Sequence, residues 1–213
     1  MTLRLLTVAA TLTALLLSTT LAAAASGDNA KLLFFEDASP AGGQSRLVRD
    51  GAAGTISSHI KATHLARGHA YTYWWVVFND PSQCSDDECG DDDLFTETGL
   101  NVAQINNVGI GVLGGNGQIA NNGGRATFTG TLFEESAAGH DVVIGPGGLF
   151  DLGSLLDEGG AITAEIHIVI RDHGPALSGE GLAAQLTTFT GNCLGLDPSG
   201  TYTCVDPQFA VHK

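Results

Sequence analysis

His69-Ala70-Tyr71-Thr72-Tyr73-Trp74-Trp75-Val76-Val77-Phe78-Asn79 is the stretch on which the fold turns. It is dense in aromatic and β-branched residues and holds neither glycine nor proline, a composition that suits a pleated, well-covered strand. Successive side chains of a strand point to opposite faces. His69, Tyr71, Tyr73 and Trp75 therefore share one side, and Trp74, Val76 and Phe78 share the other. If the first side is open, it is an aromatic platform for a sugar ring or a protein partner. If both sides are covered, the strand lies at the centre of the domain.

Outward from this strand the periodicity stays strand-like. Thr55 to Leu65 alternates, and Val102 to Leu113, Ile119-Ala120, Arg125 to Phe133, Asp141 to Ile144, Ala161 to Asp172, Leu186 to Thr190 and Gln208 to His212 read as further strands. Glycine clusters separate them, at 114–117, 121–124, 145–148 and 159–160, and Asn121-Asn122-Gly123-Gly124 is a hairpin signal. The 29 glycines thus mark turns. Short helices fit only Leu149 to Leu156 and Glu180 to Ala184. The pattern predicts an all-β, single-domain antiparallel β-sandwich of immunoglobulin-like or jelly-roll type, with a β-barrel as the alternative. No Pro/Ser-rich linker divides the chain.

Residues 1–25 combine Arg4, an apolar run from Leu5 to Leu17 and the small residues Ala22 to Ala25. These are the parts of a cleaved export signal, with Ser26 opening a secreted domain of residues 26–213. Four cysteines agree with an oxidising compartment. They fall as Cys84/Cys89 and Cys193/Cys204; three connectivities are possible, and two local bridges are the simplest. A four-thiolate zinc site fits poorly, because ten residues separate the second pair.

Charge excludes several classes of function. With 23 acidic and 9 basic residues the chain carries −14, and losing Arg4 with the leader makes it −15. Such a surface repels nucleic acid and anionic lipid. Six of the acids crowd into one segment, Asp86, Asp87, Glu88, Asp91, Asp92 and Asp93, beside the first cysteine pair. Carboxylates this close invite a hard cation, and millimolar extracellular calcium would fill even a weak site. The order of an EF-hand loop is absent, and a solvated acidic loop is the alternative.

The histidines are His59, His64, His69, His140, His167, His173 and His212. Along Ala161 to Asp172 the alternation places Ala164, Ile166, Ile168 and Ile170 toward the core. Glu165, His167, Val169, Arg171 and His173 share the other face, exposed or lining a groove. Arg171-Asp172-His173-Gly174-Pro175 is the most site-like end of any strand, since Arg and His leaving a strand together can hold an anion or a carboxylate. A blue-copper centre lacks its ligands, and the motifs of serine hydrolases, P-loop enzymes, zincins and Rossmann enzymes are missing.

His69 to Pro81 and Ala164 to Ala176 resemble segments of a family of exported bacterial all-β proteins of uncharacterised activity. That resemblance implies export and an all-β fold, and carries over no cofactor or catalytic residue. The leading expectation is a secreted, disulfide-stabilised, non-catalytic binding or surface-associated module, calcium-stabilised at the acidic loop, with a carbohydrate or protein partner. A secreted enzyme built on His69, His167, Arg171 and His173 is the alternative, and an extracellular-layer protein with an open sheet edge is another.

Overall fold

The computed structural model describes residues 25–86, 88–134, 156–157 and 159–213. Residues 1–24 of the expected export signal, Asp87, His140, the expected strand Asp141 to Ile144 and most of the helix expected at Leu149 to Leu156 lie outside these residues. Ten strands and four short helices follow in order. They are β1 (Ser26–Phe34), β2 (Pro40–Asp50), β3 (Thr55–Ala62), β4 (His69–Phe78), α1 (Asp91–Leu94), β5 (Phe95–Thr96), β6 (Gly99–Leu100), α2 (Val102–Val108), β7 (Ile110–Ile119), β8 (Ala126–Phe133), α3 (Gly160–Thr163), β9 (Glu165–Pro175), α4 (Gly179–Thr187) and β10 (Val205–His212). Apart from the small β5–β6 ribbon, the strands form one sheet in the order β7-β4-β9-β10-β1-β2-β3-β8. All of its pairings are antiparallel.

The fold is thus all-β and antiparallel. Of the two forms expected, the strands take one continuous sheet curled almost to closure, a barrel-like sandwich. Its seam lies between the edge strands β7 and β8. Asn121-Asn122-Gly123-Gly124 joins these two, with Asn121 accepting from Gly124 N and, through Oδ1, from Gly123 N. The strands form no ladder; instead Asn116 Nδ2 donates to Thr129 O at 2.7 Å across the seam. Among the described residues these two edges face each other across the seam.

Eight strands enclose a lumen that side chains can fill. Tyr73, Trp75 and Val77 of β4 point into it beside their β9 partners Ile170, Ile168 and Ile166, all at most 2% exposed. Ile56 and Ile60 of β3 meet Leu132 and Phe128 of β8 there. Tyr73 crosses the lumen: its ring packs on Phe128 at 5.8 Å, and its hydroxyl bonds Ser58 Oγ of β3 at 3.0 Å. Glycines on the two edge strands leave space for that ring. A Cβ on Gly130 would lie 2.0 Å from Tyr73 Oη, and one on Gly115 2.1 Å from Cζ.

Three segments differ from the sequence reading. Val102 to Val108 is helical, not extended. Asn101 caps α2 by accepting from Gln104 N, and Gly109 ends it at φ 67°. Ile105 and Val108, three residues apart, are its buried face. Ala161 to Thr163 is likewise helical, and Leu186-Thr187 ends α4 instead of starting a strand.

Gly130→Ala and Gly115→Ala should each destabilise the fold by about 1–3 kcal/mol, because the lumen cannot yield at the Tyr73 ring. Urea unfolding reads this, and wild-type stability in both variants would show that the ring does not close the seam.

Candidate functional site

The outer face of β4 is covered as fully as the inner one. Trp74, Val76 and Phe78 form the floor of a groove with Val112 of β7, His167 and Val169 of β9, and Phe209 and Val211 of β10. Phe35 beyond β1, Phe189 beyond α4, and the disulfide loop with Cys89, Gly90, Asp91, Leu94 and Phe95 make the walls. The cavity holds about 550 Å³, within the range of small-molecule sites. Five of the nine phenylalanines and one of the two tryptophans line it. Phe35 and Phe95 are 40% and 45% exposed, a large apolar surface left in contact with water.

His167 brings the groove its imidazole. Nε2 lies 2.8 Å from Glu165 Oε1, and the ring rests on Phe78 with centroids 4.7 Å apart. The carboxylate accepts, so Nε2 carries the proton and Nδ1 keeps a lone pair in the neutral ring. At the next turn of the face, Arg171 Nη1 donates to both oxygens of Asp206, at 2.8 and 3.0 Å. Its Nε donates to Phe189 O, and its guanidinium stacks 4.0 Å above the Phe189 ring. Arg171 thereby holds one wall of the groove in place.

The acidic loop is organised from within. Cys84 and Cys89 are bridged. Asp93 is buried, and its Oδ1 accepts from Ser85 N, Ser85 Oγ and Gln104 Nε2 while Oδ2 accepts from Gly90 N. Burial opposes ionisation of this carboxyl, yet the donors outweigh it and hold the pKa below the usual range. Asp93 thus acts as the loop's internal anchor. Among the described residues, two sets of three groups bring ligand atoms within 4.8 Å of one another, His173/Cys193/Cys204 and Cys84/Cys89/Asp93. In both sets the cysteines are tied up in disulfides, Cys84–Cys89 and Cys193–Cys204. The carboxylates of Asp86, Glu88, Asp91 and Asp92 join no such set.

The remaining expected residues sit elsewhere. Tyr71, Tyr73 and Trp75 are at most 2% exposed and form no open platform. His69 and Tyr71 meet at Asp172, whose carboxylate accepts from His69 Nδ1 (3.1 Å), Tyr71 Oη (3.0 Å) and Gly174 N (2.7 Å). Burial and the Asp172 charge push the Tyr71 hydroxyl well above its ordinary pKa. Asp172 lies at a bulge between β4 and β9, and the alternating pattern gave no sign of that hub. His173, wholly buried, donates from Nδ1 to Gly191 O and accepts at Nε2 from Thr72, which in turn accepts from Trp74 Nε1. Its carbonyl takes bonds from Gln185 and Asn192, tying α4 and the second disulfide loop to the sheet. Only His167 of the proposed enzyme set lines the groove.

A further cluster went unread in the sequence. His212 Nδ1 lies 2.9 Å from Asp28 Oδ2, and Nε2 lies 2.8 Å from Ser45 Oγ. The order matches a nucleophile relay. Ser45 is 0% exposed, however, and nearby Arg49 donates to Ala161 O, Ala164 O and His212 O, plugging this end of the lumen with α3. The cluster therefore satisfies polar groups at this end of the barrel.

Two outcomes follow from these networks. Burial pushes His173 down to about 4, with the Gly191 carbonyl opposing. The unfolded chain takes up this proton near pH 6.5 while the native one refuses it, so the stability is intact above pH 6.5 and falls as pH drops toward 4. The loss reaches about 3 kcal/mol. His173→Gln should lose less stability than wild type between pH 7 and pH 4.5; equal losses would contradict the assignment. Asp93→Asn should cost about 1–3 kcal/mol by orphaning buried donors, with melting curves alike in millimolar calcium and in chelator. A calcium-dependent midpoint would make the loop a metal site after all.

No helix among the described residues is long and apolar enough to cross a membrane. Set against family models, curated proteins and solved structures, the chain matches none of them.

Proposed function

We propose that this disulfide-stabilised β module is a non-catalytic binding protein that holds a small, largely apolar ligand in the groove on the outer face of β4, β9 and β10. One observation carries the reading: most of the chain's phenylalanines and Trp74 converge on a single cavity from segments as distant in sequence as Phe35 and Phe209. Burying apolar area is favourable by about 25 cal/mol per Å², so a solvent-filled aromatic groove gains by accepting an apolar guest. The walls are fixed by groups with structural work elsewhere: the Cys84–Cys89 bridge, the Asp93 anchor and the Arg171–Asp206 pair. Pre-set walls lower the ordering cost of binding.

The enzyme reading finds less support. His69, Arg171 and His173 are each engaged in separate hydrogen-bonded networks, and three of the named groups do not converge in one pocket. Two disulfides and a strongly acidic surface fit an extracellular setting.

The neutral fluorophore N-phenyl-1-naphthylamine tests the proposal. It should bind saturably at one site per chain with a gain in emission. Val169→Trp, which fills the groove floor, should abolish the signal while keeping the wild-type melting midpoint. Absence of saturable binding to wild type, or undiminished binding to a folded Val169→Trp variant, would overturn it.

A further inference from the structure

The chemistry of the groove's polar fringe selects among apolar guests. Three carboxylates line the cavity, Glu88, Asp91 and Asp206, and no Lys or Arg side chain does. Two of them have basic partners nearby: Arg171 takes Asp206, and Lys213 reaches Glu88 at 3.3 Å from the exposed side. Asp91 has no ion-pair partner among the described residues. The Asp206 carboxyl is raised above the usual range because burial outweighs the pull of Arg171, and Asp91 adds a smaller push in the same direction. Asp206 and Asp91 both line the cavity; the guanidinium of Arg171 is paired to Asp206, and the exposed Asp91 adds a negative charge at the rim.

The floor adds a second acceptor. Glu165 holds the Nε2 proton of His167, and Nδ1 has no hydrogen-bond partner among the described residues. Nor is Nδ1 one of the buried side-chain atoms left unpaired, which are Asn116 Oδ1 and Gln208 Oε1. The His167 side chain, 14% exposed, lines the cavity and has this nitrogen to offer. The charged and imidazole side chains at this surface thus offer negative charge or lone pairs. Around them stand the rings of Trp74, Phe78 and Phe209, and aromatic rings attract cations through their quadrupoles.

We infer that the groove takes an organic monocation with an apolar or aromatic body, a protonated amine whose N–H groups meet Asp91 and the free nitrogen of His167. This rests on the groove being a ligand site and names the class of its ligand. An anionic guest of the same shape would meet Asp91 and Asp206 with like charge, and a neutral one would leave Asp91 unanswered.

Displacement of N-phenyl-1-naphthylamine by three probes with one ring system tests the inference. These are 2-(1-naphthyl)ethylamine, 2-(1-naphthyl)ethanol and 1-naphthylacetate. The amine should displace the fluorophore at a concentration on the order of tenfold lower than the alcohol, with the carboxylate weakest. The amine's advantage should shrink as salt is raised and vanish in the Asp91→Asn/Glu88→Gln variant. Both substituted residues are exposed, and the variant should keep the wild-type melting midpoint. Equal displacement by amine and alcohol, or a preference that survives the double variant, would overturn the cation assignment while leaving the groove a ligand site. Failure of the fluorophore itself to bind would instead remove the site on which the inference stands.

Discussion

Double burial of β4 is the constraint from which the rest of the structure follows. A strand with aromatic residues on both faces must be covered twice, and the chain does this in two different ways. Inward, Tyr73 and Trp75 fill a lumen that the sheet can close only because Gly115 and Gly130 give up their side chains to the Tyr73 ring. Outward, Trp74, Val76 and Phe78 are buried almost as deeply, but under loops and α4 instead of a second sheet, and these leave a groove between them. The inner face is a packed core, and the outer face is a groove. The difference lies in what each face meets, not in its own residues.

The polar networks serve this division. The Asp28, Ser45, Arg49 and His212 cluster seals one end of the lumen with α3. Asp172 and His173 secure the far end of β9 to β4, α4 and the second disulfide loop. Asp93 ties the first disulfide loop into a wall. Each buried polar atom in these sets finds a partner, as a low-dielectric interior demands. The charges outside them, Asp91 above all, are the ones left to face a ligand.

The strand β4 was legible from its aromatic and β-branched composition, and β9, apart from its expected start at Ala161, from alternation, which also marked the core face of Ile166, Ile168 and Ile170. The face of Glu165, His167, Val169, Arg171 and His173 was separable from it, but His173 is wholly buried and only His167 and Val169 of the five line the groove. β1 and β2 escaped notice because the lumen positions of β2 include Ser45 and Arg49, polar residues that break the apolar pattern while serving the plug. α2 hid behind β-branched residues, although Asn101 and Gly109 are the capping signals of a helix. The groove itself was out of reach: Phe35, Phe95, Phe189 and Phe209 are isolated in sequence, and only closure of the sheet brings them to one place. The acidic segment was visible as charge, but the separation of Asp93 from its neighbours depends on Ser85 and Gln104, which no spacing rule connects.

A crystal structure of the protein saturated with 2-(1-naphthyl)ethylamine tests the central claim most directly. The account predicts the naphthyl ring against Trp74 and Phe209 on the outer face of the sheet, with its nitrogen at Asp91 and His167, and an unchanged lumen around Tyr73. A ring seated inside the barrel beside Trp75, or an empty groove in crystals that hold the amine elsewhere, would contradict it.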